Sequence, residues 1–205
     1  KDSDTRLVSH TMHFFGIGES MLEDRLRSLM EKSLNPTVAP YAKTGEVQLR
    51  VTARVKNGED PNALLEPVME QIRQMVGEFL YGVDVGDLQT AAVRLLTEKG
   101  LKVAVAESCT GGYLAKRITD VSGSSKVFEC GICSYSNRIK HQLLGVSERT
   151  LEEYGAISEQ TATEMASGVR KLSEADIGIS VTGNARPPTK AKRWVLCISG
   201  WTARN

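Results

Sequence analysis

The chain has 205 residues, 40% hydrophobic and 25% charged, ordinary for a globular protein with room for one large domain or two small ones. Lys and Arg total 26 against 25 Asp and Glu, but the last twenty residues hold five of those bases (Arg186, Lys190, Lys192, Arg193, Arg204) and no acid, which leaves 21 against 25 and a net of −4 for the rest. An acidic body argues against broad nucleic-acid binding, and no apolar run approaches the ~20 residues of a membrane span, so no membrane partner is expected.

Residues 7–16 (LVSHTMHFFG) alternate as a strand, and Ser20 to Ser33 carries Met21, Leu22, Leu26, Leu29 and Met30 at helical spacing. Asn35-Pro36 to Lys43 reads as an internal loop. Glu46 to Val55 (EVQLRVTARV) alternates strictly, as a half-buried strand does. Asp60-Pro61 then opens a helix, with Asp60 as N-cap and a stripe of Leu64, Leu65, Val68, Ile72, Met75 and Phe79. These elements predict a small βαβα unit. The stretch YGVDVGD (81–87) is the expected junction, dividing the chain into domains 1–84 and 85–205.

A different rhythm follows. A helix is expected over 88–99 with Gly100 as its C-cap, then a strand over 101–106, a turn, and a helix over 111–120. A strand from about Val127 to Tyr135 precedes a helix from Asn137. Another helix covers Glu159–Ser173, capped by Ser158, and the apolar run Ile177–Val181 suits a strand buried on both faces. Strands alternating with helices imply an α/β fold, a parallel-sheet α/β/α sandwich, after the smaller α+β unit.

Several candidate sites carry little. Gly16-Ile17-Gly18 follows a strand, but the third glycine of a dinucleotide fingerprint is replaced by Met21, so a strand-to-helix turn is expected. Cys130-Gly-Ile-Cys133 lacks the second pair of a zinc site and lies within a strand, so buried structural thiols are expected there. With Cys109 and Cys197 these are the chain's four cysteines, read as free thiols of a cytoplasmic protein in the absence of an export signal. The start at Lys1 reads as a fragment or a proteolysed product. His10 and His13 are given no role, and Lys116 and Arg117 suit a solvated helix face as well as a phosphate contact.

VAVAESCTGGYLAKRITD (103–120) is different. Ligands of parallel sheets gather beyond the carboxyl ends of the strands. Thr110, Gly111 and Gly112 would leave backbone N–H groups at a helix N-terminus as an anion seat, with Ser108 at its rim. The next strand ends in Tyr135-Ser136-Asn137 with Lys140 just beyond, and the third ends in Thr182-Gly183. One crevice is thus offered Ser, Tyr, Lys and Thr. A serine nucleophile needs a base. His141 is one candidate, and Lys140 the other if burial keeps it neutral.

AESCTGG (106–112), ITD with GSS (118–125), YSNRIK (135–140), GAISEQTATEMA (155–166) and SVTGNA (180–185) resemble, in matching order, the C-terminal domain of the competence/damage-inducible CinA family. FGIGES and PTVAPYAK (36–43) resemble that family's KH-like middle domain, while its N-terminal domain has no counterpart here. The resemblance implies nicotinamide-nucleotide amidase activity, nicotinamide mononucleotide (NMN) plus water giving nicotinate mononucleotide plus ammonia. It implies a catalytic Ser-Tyr-Lys centre, with Ser108 as nucleophile and Lys140 taking its proton, while Tyr135 could relay the proton or orient the amine. Cys109, Thr110, Gly111, Gly112, Asn137, Thr182 and Gly183 would bind the substrate, and neither cofactor nor metal is needed. A homo-oligomer, a dimer, is the expected assembly. The KH-like unit lacks a GXXG loop, so packing or dimerisation is its expected use. The rival reading is a non-catalytic interaction module of a competence- or DNA-damage-related protein.

After Ala185 the chain leaves the family pattern. RPPTKAKRWVLCISGWTARN holds both tryptophans and the basic cluster. Shifting the reading frame from Pro188 onward can yield DEGKAVGLVYIGVDSK, which resembles the family's missing strand. A frame error is therefore one expectation for this segment; an authentic tail would alter the phosphate side of the site.

Overall fold

The computed structural model describes residues 4–43, 45–183 and 197–203. The chain divides into two compact units, Lys1–Ala91 and Ala92–Asn205.

The first unit runs β1 (Thr5–Phe14), α1 (Glu19–Lys32), β2 (Thr37–Lys43), β3 (Glu46–Lys56), α2 (Asn62–Val76) and β4 (Leu80–Val83). Its sheet has the order β2-β3-β1-β4 with every neighbour antiparallel, two interleaved split βαβ units. Alternation in β3 sends Val47, Leu49, Val51, Ala53 and Val55 to one face. There they join Met12 and Phe14 of β1, Leu22 and Leu26 of α1, and Leu65, Met69 and Ile72 of α2 in one core.

Two expectations fail in this unit. The segment read as a loop is β2, an edge strand, where Pro40 is tolerated because its missing N–H need not serve the ladder. The stretch read as a junction begins with β4. Gly82 is needed there because a Cβ would lie 2.6 Å from Val85 Cγ2. Asp84 follows with φ of 53°, and its carboxylate accepts the Thr11 N–H at 2.8 Å and meets His10 Nδ1 at 2.5 Å. Those contacts tie the end of β4 back onto β1.

The boundary between units falls inside α3 (Leu88–Lys99). The second unit then holds β5 (Val103–Glu107), α4 (Tyr113–Thr119), β6 (Phe128–Cys133), α5 (Asn137–Leu144), α6 (Glu148–Glu153), α7 (Glu159–Ser173), β7 (Ile177–Gly183) and β8 (Cys197–Ala203). The sheet order is β6-β5-β7-β8, with β5 parallel to both neighbours and β8 antiparallel to β7. All five residues of β5 are buried, as its unbroken run requires.

Helices cover both faces of this sheet. On one side Ala104 and Ala106 pack with Leu144 at the end of α5, Val146 just beyond it, and Met165 and Val169 of α7. The fit of β7 to α7 is close, since a Cβ on Gly178 would stand 2.2 Å from Ala166 O. On the other side α4 is seated on β6, where a Cβ on Gly131 would meet Ala115 Cβ at 2.9 Å. Ser158 caps α7 by accepting the Thr161 N–H at 3.2 Å. α6 and β8 were not foreseen; α6 is signalled only by its cap, Ser147, which accepts the Thr150 N–H at 3.0 Å. The expectations about the phosphate-side loop and the reading frame fall largely on residues 184–196, which lie outside the described residues.

Candidate active site

β5 carries the candidate nucleophile to the end of the sheet. Glu107 pairs with Cys133 on one side and Val181 on the other. The ladders continue one residue further, Ser134 N–H donating to Glu107 O at 2.8 Å and Ser108 N–H to Val181 O at 2.9 Å. Ser134, Ser108 and Thr182 therefore stand in one row across three parallel strand ends. Ser108 is 8% exposed.

Lys140 reaches that row from the first turn of α5. Ser136 caps this helix by accepting the Ile139 N–H at 3.3 Å, and helical side chains lean toward their N-terminus, so Lys140 is aimed back at the strand ends. Its Nζ lies 3.1 Å from Ser108 Oγ, 2.7 Å from Ser134 O and 3.0 Å from Tyr135 O. Lys140 is 1% exposed. Burial pushes its pKa below the ordinary 10.5, against an opposing attraction to Cys109. Two of the three neighbours are carbonyls, which can only accept. An ammonium would donate to all three; the neutral amine, which burial favours, donates to both carbonyls and turns its lone pair to the Ser108 hydroxyl. That is the arrangement a general base needs.

The other expected residues sit as follows. Tyr135 meets Lys140 through its carbonyl, while its side chain is 74% exposed. Cys109 is half-buried. Gly111 and Gly112 have φ of 60° and 97°, which glycine adopts without cost, and Cys133 Sγ would stand 3.4 Å from a Cβ on Gly112. Thr110 Oγ1 is buried without a hydrogen-bond partner among the described residues. Asn137 opens α5 and is exposed. Thr182, 1% exposed, donates from Oγ1 to Ala156 O at 2.7 Å, and Gly183 ends β7.

The anion seat is not bare as expected. The Gly111 N–H donates to Ser108 O at 3.2 Å, and α4 begins only at Tyr113. The Leu114 and Ala115 N–H groups donate at 3.0 and 2.8 Å to the carboxylate of Glu107, itself 1% exposed. Glu107 thus already fills the helix end. The sequence carried a signal for it, an acid closing an otherwise apolar buried strand, because such a group must find partners. Ser134 was also missed; it is fully buried, and its carbonyl is the closest of the three Lys140 contacts.

Other candidates turn away from the row. His141 Nδ1 lies 2.7 Å from Val146 O and its Nε2 3.9 Å from Glu148. Lys116 pairs with Asp120 at 2.6 Å on the surface of α4. Cys130 is half-buried, with its thiol pKa raised by burial, but Cys133 is exposed rather than the buried thiol expected, because β6 is an edge strand. No group of three or more His, Cys, Asp or Glu that could hold a metal occurs among the described residues, and none of their helices is long and apolar enough to cross a membrane.

An open α/β sheet with a serine and a buried lysine paired at its carboxyl edge, preceded by a small antiparallel-sheet unit, defines the class. Residues 86–195 match the family model of the CinA C-terminal domain, and residues 9–82 that of the damage-inducible protein CinA KH domain. A CinA-like protein of Kosmotoga olearia is 48% identical over 181 residues, covering 88% of this chain and 44% of that protein. A putative competence-damage inducible protein of Thermoanaerobacter is 49% identical over the same shares. Among solved structures, a competence/damage inducible protein from Agrobacterium tumefaciens has a TM-score of 0.52 at 37% identity, over 57% of this chain and 72% of that one. A CinA superfamily protein from Escherichia coli has a TM-score of 0.53 at 30% identity, over 58% and 71%. The chain belongs to the CinA family, and it spans less than half the length of these two curated relatives.

Proposed function

We propose that this chain is a nicotinamide-nucleotide amidohydrolase that converts NMN and water to nicotinate mononucleotide and ammonia. The observation that carries the reading is the buried contact of 3.1 Å between Lys140 Nζ and Ser108 Oγ. The family resemblance supplies the substrate.

In this scheme Ser108 Oγ attacks the carboxamide carbon while its proton passes to the neutral Lys140 amine. Backbone N–H groups of the Cys109–Gly112 turn, other than that of Gly111, hold the oxyanion. The C–N bond breaks and Lys140 returns the proton to the departing ammonia. Water then attacks the acyl-serine and gives a proton to Lys140. The acyl C–O bond breaks, and Ser108 recovers its proton from Lys140 as nicotinate mononucleotide leaves. Tyr135, the third member of the Ser-Tyr-Lys centre, relays the proton or orients the amine, and Asn137, Thr182 and Gly183 contact the bound substrate. The scheme draws on no metal or organic cofactor, and the reaction belongs to the cytoplasm. Ammonia release on adding NMN to the purified chain tests the reading. No release from either this chain or a full-length relative would favour the interaction-module alternative.

A further inference from the structure

The turn between β5 and α4 is held by an unusual clasp. α4 has only seven residues, and its N-cap, Gly112, offers no side-chain cap. The first amides of a helix have no partner within it. Here Leu114 and Ala115 find theirs in Glu107, the last residue of the preceding strand, at 3.0 and 2.8 Å. Glu107 is itself locked into the sheet, its carbonyl accepting the Ser134 N–H at 2.8 Å. One buried residue therefore bridges from the strand to the helix across Ser108–Gly112, the turn that holds the nucleophile and the oxyanion donors. Gly111 and Gly112, both at positive φ, restrain that turn little by themselves.

We propose that Glu107 is a positioning residue for amide hydrolysis: its carboxylate clasps α4 so that the Ser108 hydroxyl and the turn amides keep their aim at the acyl carbon and oxygen. The proposal rests on the amidase reading of this site. It assigns Glu107 no contact with substrate. Because the clasp fixes groups that act on the reacting carbonyl, its loss lowers kcat and leaves the binding of the nucleotide largely intact.

The test compares Glu107→Gln, Glu107→Ala and Ser108→Ala in the whole chain, by ammonia release from NMN. Gln keeps one acceptor oxygen but sets its NH2 against the second backbone N–H. The expected result is a fall in kcat of about 100-fold, the scale set by an ångström of misplacement, with KM changed by less than about threefold. In Glu107→Ala, added formate should restore part of kcat by occupying the two amides, where equal chloride does not. Wild-type kcat in Glu107→Gln would overturn the proposal. So would a loss of activity that follows the unfolded fraction measured by circular dichroism, or a formate effect no larger than that of chloride. If Glu107→Ala does not fold, the kcat-against-KM split in Glu107→Gln decides. Undiminished activity in Ser108→Ala would instead sink the amidase reading itself.

Discussion

Lys140 Nζ stands 3.1 Å from Ser108 Oγ in a site where both residues are nearly sealed from solvent. Thirty-two positions of chain separate them, yet the pairing follows from two local facts. Ser108 ends a central parallel strand, and Lys140 lies in the first turn of the helix that follows the adjacent strand.

Replacing the hydroxyl should abolish turnover. Ser108→Ala is expected to release ammonia from NMN at least about 1000-fold more slowly than the parent, as loss of a nucleophile does. A thermal melt like that of the parent would show that the fold persists.

Proton uptake by Lys140 gives two linked pH effects. Its pKa in the fold lies below 10.5, the cause being burial, so the unfolded chain binds that proton more tightly. Stability should therefore rise as pH climbs from the folded value toward 10.5, and the penalty is constant below that window. kcat/KM for NMN should rise with pH through the same lowered pKa, since only the neutral amine accepts a proton. Lys140→Met should remove the stability slope along with the activity. A flat activity profile through that range would exclude Lys140 as the base.

Helix α7 should not tolerate a gain in helix propensity at one position. Gly168→Ala improves propensity by about 1 kcal/mol. The new Cβ, however, would stand 1.9 Å from Leu144 O at the end of α5. Backbone must move, and net destabilisation of about 1–3 kcal/mol is expected from denaturant melts. Because α5 carries Lys140, kcat should fall as well.

In the first unit, the contact of His10 with Asp84 makes stability depend on pH from both sides. The hydrogen bond to Asp84 raises the His10 pKa above 6.5. Burial opposes ionisation of Asp84, but the Thr11 N–H and His10 outweigh it, so its pKa is lowered below 3.8. The His10 contribution is full below pH 6.5 and lost as pH rises through its raised value; that of Asp84 is full above 3.8 and lost on acidification through its lowered value. Asp84→Ala should cost about 1 kcal/mol near pH 6 and flatten the profile above neutrality. The pair is partly exposed, which keeps the figure small.

The sequence exposed the site unevenly, and the reason differs by residue. Strict alternation in EVQLRVTARV and the buried run before Ser108 were legible because periodicity reports burial directly. β2 was not, because Pro36 and Pro40 resemble loop residues until the strand is known to lie on an edge. Ser108 and Lys140 could be brought together through topology, but not the choice between Lys140 and His141. That choice depends on side-chain direction, which puts His141 against Val146. Glu107 is harder to read, because the glycine-rich turn beside it suffices in sequence for an anion seat, and only the fold puts an acid two residues before Cys109 onto the first amides of α4.

Two of the three anchors of the Lys140 amine are main-chain oxygens, those of Ser134 and Tyr135. A survey of substitutions at these positions would measure their side chains and pass over the oxygens altogether. The restraint on the amine is a property of the chain's path, carried forward through any replacement that preserves that path. Engineering this centre for another amide would accordingly leave the lysine's cradle unchanged and redraw only the side chains around the substrate.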